Sequence, residues 1–291
     1  MSDAPPPQVA PIDDPKDYGQ FTIGQVPAQG IEVGFDSGTN QWWYRIETPI
    51  LQRVIDLLGS LVEEAAFYFT DVGFYCRVVD PSHVAMMAIQ TPGCVDNGGH
   101  NKSDMAYEEM MGIELAKLAK CIDKTESHIT IVVERDNQKL RIVNDNCESM
   151  LRGLDRQNMQ SPRVPDFSGM EVTTFEIDSI TWLKSCKRMD DVADLVNLEA
   201  RESGVYWSVG GESFSREYKL TDAWTSLSGT PVKAQYSNQY ILTLARKQPT
   251  TKKNHTTFKV SFGENYPLLM ESIDDIVNWQ YFLAPRVDGD A

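Results

Sequence analysis

The stretch YRIETPILQRVIDLLGSLVEEAAFYFTDVGFYCRVV, residues 44–79, decides the fold. It begins with an alternating segment, Tyr44–Ile46, that is typical of a strand. A Thr-Pro pair then marks a helix start, and apolar side chains recur at helical spacing from Ile50 to Leu61. Strand-like runs follow on both sides of a turn at Gly73. The expected order is strand, helix and then three strands, the last over residues 83–89.

The same pattern recurs in the second half of the chain. An ungapped shift of 131 residues places Tyr44 on Phe175, Arg53 on Lys184, Leu61 on Val192, Phe67 on Leu198, Gly73 on Gly204 and Val78 on Val209. A second helix repeats as well, because Leu115, Leu118 and Lys120 stand 126 residues before Ile241, Leu244 and Arg246. Strand, helix and turn positions agree together, so we predict a duplicated unit.

The segment between the two copies contains Pro162 and Pro165, which favour an extended connector. The predicted divisions are a flexible proline-rich arm (1–40), a first half (41–157), a linker (158–171), a second half (172–288) and a short tail (289–291). Each half is expected to hold two helices and about eight short strands. The predicted fold class is α+β, with amphipathic helices covering one face of antiparallel sheets.

Composition limits the classes of function. The chain has 291 residues, of which 41% are hydrophobic and 24% charged, as in soluble globular proteins. Its net charge of −15 argues against a protein that coats nucleic acid with its whole surface, but allows a local basic strip. The apolar runs are shorter than the roughly 20 residues of a membrane span, and the N-terminus does not resemble a secretion signal. We expect an intracellular protein without a membrane partner.

Residues that could carry chemistry are not arranged for it. The five cysteines, Cys76, Cys94, Cys121, Cys147 and Cys186, are scattered, and Cys94 and His100 lack the second ligand pair of a zinc site. Asp80, Ser82 and His83 have the residue types of a hydrolase triad, but neighbours in one turn cannot converge on a shared reaction centre. We therefore predict reduced thiols, no catalytic residue, no cofactor and no metal.

The predicted helices carry positive charge at corresponding positions of the repeat. In the helix predicted over Ile113–Lys124 three lysines share one face, and the helix predicted over Ser179–Met189 has a similar cluster. A single such face is ordinarily solvated surface, but its recurrence in an acidic chain favours a surface that binds phosphate backbone without reading sequence. The candidate residues for binding a nucleic-acid phosphate backbone are Arg53, Lys117, Lys120, Lys124, Lys184, Lys187, Arg188, Arg246 and Lys247. The first helix is the least basic, with Asp56 close to its only cation.

Four stretches carry a resemblance to a known family. They are FYFTDVGFYCRVVDPSHVAMMAI (67–89), MGIELAKLAKCI (111–122), ARESGVYWSVGGESFSREYKL (200–220) and YFLAPRV (281–287). Together they resemble the sliding clamp of archaea and eukaryotes, proliferating cell nuclear antigen (PCNA), over about residues 42–288. The most specific segments are VDPSHVA at 79–85 and LAPR at 283–286. The forty-residue arm and the loop 91–107 depart from the family pattern.

The resemblance implies a homotrimeric ring with helices lining a central hole and sheets outside. Such a ring encircles double-stranded DNA without sequence preference and acts as a processivity factor for DNA polymerase and for other replication and repair proteins. It is placed on DNA by a clamp loader and has no catalytic site. It implies subunit contacts through edge strands near 147–152 and 213–219. The expected location is the cytoplasm or nucleoid of an archaeal cell or a virus-infected host.

The resemblance also implies a pocket for partner peptides that carry a glutamine and aromatic side chains. The residues that match this pocket are Val79, His83, Val84, Met86, Met159, Pro267, Phe282, Leu283 and Ala284. Its two methionines would give an adaptable lining, although some of these apolar side chains would equally suit a core. An alternative function is a clamp-like adaptor that binds peptides without encircling DNA, for which the basic strip would be superfluous.

Overall fold

The structure is a computed structural model. It describes residues 30–71, 73–92, 94–95, 108–134, 138–145, 147–155, 159, 162–164, 170–190, 192–210, 214–220, 228–251, 253–272 and 276–286. Residues 1–29 of the predicted arm and 96–107 of the unusual loop lie outside this described part, as do most of the linker and the tail.

The first half contains ten strands and two helices in its described part. In chain order they are β1 (Ile31–Asp36), β2 (Gln41–Glu47), α1 (Thr48–Leu58), β3 (Glu64–Thr70), β4 (Gly73–Val79), β5 (Ala85–Pro92), β6 (Cys94–Val95), β7 (Glu108–Glu114), α2 (Leu115–Cys121), β8 (His128–Glu134), β9 (Lys139–Asn144) and β10 (Cys147–Arg152).

The second half, in its described residues, repeats this order without counterparts of β1 and β6 and with one added hairpin, β16 and β17. Its elements are β11 (Thr173–Asp178), α3 (Ser179–Asp190), β12 (Leu195–Arg201), β13 (Gly204–Gly210), β14 (Ser215–Leu220), β15 (Val232–Ser237), α4 (Asn238–Arg246), β16 (Thr250–Thr251), β17 (Asn254–His255), β18 (Thr257–Phe262), β19 (Leu268–Ser272) and β20 (Asn278–Leu283).

The repeat extends to backbone detail. Strands β2 to β5 and β7 to β10 correspond in order to β11 to β15 and β18 to β20, and α1 and α2 correspond to α3 and α4. Gly73 and Gly204 begin equivalent strands, and both have left-handed backbone angles, φ 141° and 136°, that favour glycine. The predicted α+β fold class is confirmed.

The largest sheet joins the two halves. Its order is β11-β18-β19-β20-β5-β4-β3-β7, so β20 of the second half pairs antiparallel with β5 of the first, with Phe282 opposite Met86. The other large sheets have the orders β10-β9-β8-β2-β1-β6 and β14-β13-β12-β15. Strands β10 and β14 are therefore edge strands, each unpaired on one side within the described chain.

Each half has a core of aromatic and aliphatic side chains. In the first half, Tyr44 of β2 contacts Phe69 of β3, with ring centroids 5.1 Å apart. In the second, Trp182 of α3 packs on Trp207 of β13 at 5.2 Å, and both are fully buried. The second contact packs the apolar side of α3 on the sheet that contains β13.

Three boundaries differ from the sequence predictions. Residues 31–36 of the expected loose arm form β1, because Ile31 and Val33 are buried against β2 and complete its free edge. The helix predicted over Ile113–Lys124 is shorter, since its first two residues belong to β7 and Lys124 lies in a turn beyond Cys121. Helix α3 runs one residue beyond the predicted end, to Asp190.

The described cysteine side chains are unpaired and two of them are buried. Burial raises the pKa of the Cys76 thiol well above its usual value, and that of Cys186 to about 12. Both thiols therefore remain protonated and unreactive. No described helix is both long and apolar enough to cross a membrane.

Candidate nucleic-acid interface and partner pocket

The four helices of the described residues form one contiguous layer. Helix α1 packs against α2, and α3 packs against α4. Polar contacts join the pairs across the halves: the Arg53 guanidinium of α1 donates to the main-chain carbonyl of Lys247 at 2.6 Å, and Lys247 Nζ lies 3.7 Å from an Asp56 carboxylate oxygen. The order across the layer is therefore α2, α1, α4, α3.

The basic side chains of this layer lie on its exposed side. Helix α2 presents Lys117 and Lys120 to solvent, α3 presents Lys184 and Lys187, and α4 presents Arg246. The helix residues Leu115, Leu118, Trp182, Ile241 and Leu244 lie on the opposite side, in the core. The repeat thus brings the predicted cations of three helices onto a common layer.

Acidic neighbours compensate some of these charges. Lys117 pairs with Glu114 at 2.7 Å, and Arg246 pairs with Asp190 at 3.5 Å. The hydrogen bond to Glu114 raises the pKa of Lys117, so this amine is charged at neutral pH. Lys120, Lys124, Lys184 and Lys187 are exposed and form no ion pair with a described residue. These four lysines are the most available for phosphate.

Two of the predicted cations have other surroundings. Arg53 is only 8% exposed, and besides the Lys247 carbonyl it bonds the side-chain oxygen of Gln248. Its guanidinium therefore joins α1 to the end of α4. The guanidinium of Arg188 lies 4.7 Å from the ring centroid of Tyr218, which places it beside edge strand β14.

Three of the predicted pocket residues, Val79 of β4, Met86 of β5 and Phe282 of β20, share one sheet face. Directly opposite residues of an antiparallel ladder point to the same side. Val79 is opposite Met86, Met86 is opposite Phe282, and Phe282 is opposite Leu269 of β19. The result is an apolar row across four strands. Leu283 faces the other way and is fully buried in the core.

The row ends at a rim built from both halves. The backbone amide of Ala284 donates to the carbonyl of Val84 at 2.8 Å, and both side chains are half-buried. Pro267 directly precedes β19, whose first residue pairs with the last residue of β20, so it lies at the same end. His83 is exposed on the adjoining turn. His83, Val84, Pro267 and Ala284 therefore lie at one end of the apolar row.

Met159 is not brought into this group by any described contact. A Cβ atom placed on Gly112 would be 3.1 Å from Met159 Cγ, so the methionine lies over β7. In the sheet, β3, β4 and β5 separate β7 from β20.

A shallow depression of about 650 Å³ on the four-stranded sheet, lined by charged residues such as Glu199, Arg201 and Lys233, is a separate feature.

Asp80 organises the turn next to the rim. Its carboxylate accepts backbone amides of Ser82 at 2.9 Å, Val84 at 2.7 Å and Ala85 at 2.6 Å. It also accepts the hydroxyl of Tyr240 at 2.7 Å, a residue of α4 that the sequence did not single out. Because Tyr240 and Asp80 are 160 positions apart, no local sequence pattern predicts their contact.

Comparison with known proteins agrees with this fold. Residues 45–159 match the family model for proliferating cell nuclear antigen, N-terminal domain. A DNA polymerase sliding clamp of Picrophilus torridus is 25% identical over 246 residues, which are 84% of this chain and 98% of the relative. One of Cenarchaeum symbiosum is 27% identical over 247 residues, 82% and 95% of the two chains.

Solved structures share the fold. A structure of the C-terminal region of FEN-1 bound to Archaeoglobus fulgidus PCNA has a TM-score of 0.71 at 20% identity, covering 85% of this chain and 99% of that one. The PCNA2–PCNA3 complex of Sulfolobus tokodaii has a TM-score of 0.65 at 16% identity, covering 84% and 100%.

Two repeated α+β halves whose helices gather in one layer define a sliding-clamp fold. The predicted resemblance to PCNA is confirmed: residues 45–159 match the model of that family's N-terminal domain, and relatives named DNA polymerase sliding clamp match over more than 80% of this chain.

Proposed function

We propose that this sliding clamp is a processivity factor that encircles duplex DNA and tethers DNA polymerase and other replication and repair proteins to it. The observation that carries the proposal is the helical layer, which gathers exposed lysines on one surface of a chain whose net charge is −15. Such a surface holds phosphates through charge, without base contacts, so the protein slides along the duplex.

The repeat supports assembly into a ring. Within one chain, β20 pairs with β5. Their equivalents in the repeat are β10 and β14, which are the unpaired edges of the other two large sheets. We propose that β10 of one copy pairs with β14 of the next, which would repeat between copies the strand pairing that β20 and β5 make within one chain. Exposed edges are otherwise a liability.

The exposed apolar side chains agree with this joint. Met150 of β10 is 47% exposed, and Phe214, directly before β14, is 52% exposed. Pairing of the two edges would cover both. That the ring closes with three copies follows from the family resemblance, as does the need for a loader.

The apolar row on the outer sheet is the proposed peptide site. It offers Val79, Met86 and Phe282 as a floor and Val84 and Ala284 as a rim, a surface that suits a short helical peptide with aromatic side chains. The related clamp bound to the C-terminal region of FEN-1 is the precedent for such a partner. The site has no catalytic task, and the proposed place of action is the nucleoid.

Tethering alone, without a reaction catalysed by the clamp, explains how the clamp would stimulate a polymerase. A polymerase held through a short flexible peptide meets its primer end at an effective concentration of about a millimolar, so release is followed by rapid rebinding. We propose that the clamp contributes only this linkage and its mobility along DNA.

Charge reversal on the helical layer tests the proposal. Lys120→Glu with Lys184→Glu alters two exposed residues of that layer, one in each half. The control, Lys233→Glu with Lys259→Glu, reverses the same number of charges on β15 and β18, on the sheets. We expect the first pair to abolish clamp-dependent stimulation of a polymerase on primed circular DNA, and the control to retain it. Equal stimulation by both variants, with oligomers of unchanged mass, would exclude DNA contact through the helices.

A further inference from the structure

The turn that carries the pocket rim is held from the opposite half of the chain. The Tyr240 hydroxyl of α4 reaches a carboxylate oxygen of Asp80 at 2.7 Å. That oxygen also accepts the amide of Ser82, while the second oxygen accepts the amides of Val84 and Ala85. Four donors therefore meet one carboxylate that is only 3% exposed.

The ionisation of both partners fits this arrangement. Burial alone would raise the pKa of Asp80, but the hydrogen bonds from Ala85, Tyr240, Ser82 and Val84 outweigh it, and its pKa is lowered. The bond to Asp80 raises the pKa of Tyr240, so the phenol keeps the proton that it donates. A charge-assisted bond of this kind is about twice as strong as one between neutral groups.

The turn requires such support. His83 has φ 56°, a left-handed conformation that is unfavourable for a residue with a side chain. The next residue, Val84, forms the rim and accepts the amide of Ala284 from the other half. Asp80 binds amides on both sides of His83, so any loosening of this carboxylate would displace Val84 relative to Ala284.

We infer that Tyr240 is a positioning residue for the peptide pocket, which fixes the rim through Asp80 from the helix that also carries Arg246. This inference rests on the proposed peptide-binding function. Asp80, in the segment VDPSHVA (79–85), then contributes to peptide recognition without touching the peptide.

Removal of one hydroxyl tests the inference. Tyr240→Phe keeps the ring and loses the donor to Asp80. We expect a peptide with a glutamine-aromatic motif to bind the full-length clamp about five- to ten-fold more weakly, because the lost bond is to a charged acceptor. The matched control is Tyr44→Phe, which loses a bond of the same length, 2.7 Å, to the Thr70 carbonyl in the first half. Peptide affinity should be unchanged in the control.

A double-mutant cycle separates positioning from general destabilisation. In an Asp80→Asn background, Tyr240→Phe should change peptide affinity by less than about two-fold, since the hydroxyl acts through the carboxylate. Amide hydrogen exchange in residues 80–85 should accelerate in Tyr240→Phe and not in Tyr44→Phe.

Each contrary result has a distinct meaning. Wild-type affinity in Tyr240→Phe, or an equal loss in Tyr44→Phe, would overturn the inference while the pocket stands. An undiminished effect in the Asp80→Asn background would show that Tyr240 does not act through Asp80. A wild-type clamp that does not bind the peptide would overturn the pocket itself, and this inference with it.

Discussion

The guanidinium of Arg53 donates to the main-chain carbonyl of Lys247, and thereby joins the first helix of the chain to the last. Charge at this position of the repeat was expected to face DNA. Its burial, together with the bond to Gln248, shows that it holds the two halves of the helical layer together. The exposed lysines of α2 and α3 therefore lie on helix pairs that Arg53 joins across the two halves.

Loss of this link should destabilise the protein. Arg53→Met leaves the Lys247 carbonyl and the Gln248 side chain without their donor, and we expect the free energy of unfolding to fall by about 2 kcal/mol. Denaturant titration measures this free energy of unfolding. Arg45→Met is the control, because its ion pair with Glu32 is about half exposed on both sides and should contribute less than about 1 kcal/mol. Equal losses would contradict the structural task of Arg53.

The edge strands should control the mass in solution. Met150→Lys places a charge at β10, and Phe214→Lys does so beside β14. Light scattering should show a fall from about 98 kDa, three times the 32.8 kDa of one chain, towards the single-chain mass. Ile276→Lys alters a residue of similar exposure, 50%, away from both edges, and should leave the mass unchanged. A large assembly that survives both edge substitutions does not use this joint.

Phe282 should matter for the pocket and for stability together. It is 4% exposed, so Phe282→Ala should weaken peptide binding and also lower the free energy of unfolding by about 3 kcal/mol. Val84→Ala removes less buried surface at the rim, and should weaken the peptide with a stability change below about 1.5 kcal/mol. Calorimetry and thermal unfolding measure the two effects. Peptide affinity equal to wild type in both variants would remove this surface as the site.

The Asp80 carboxylate should give a defined acid dependence. Its pKa is lowered in the folded state from a usual value of 3.8, so its stabilising effect is complete above that value and is lost as the pH falls through the lowered folded-state pKa. The difference in unfolding free energy between wild type and Asp80→Asn should be constant from pH 5 to 7 and decrease below about pH 4. A difference that grows on acidification would reverse the sign of this contribution.

The sequence predicted the elements that depend on periodicity. The repeat, the four helices and the hairpin turns at Gly73 and Gly204 follow from local spacing and turn chemistry. What it missed depends on contact across the chain. The burial of Arg53, the bond from Tyr240 to Asp80 and the pairing of β20 with β5 join residues far apart in sequence. Strand β1 was not predicted, because its alternating apolar residues Ile31 and Val33 form too short a pattern in a segment with many prolines.

We propose that the repeated helices present their lysines to a duplex inside a closed ring. Electron cryomicroscopy of the full-length protein with duplex DNA is the decisive experiment. We predict a closed three-subunit ring with the duplex through its centre, β10 paired with β14 at each joint, and Lys120, Lys184 and Lys187 facing phosphates. A duplex bound on the outer sheets, or an assembly in which the helices are turned outward, would contradict it.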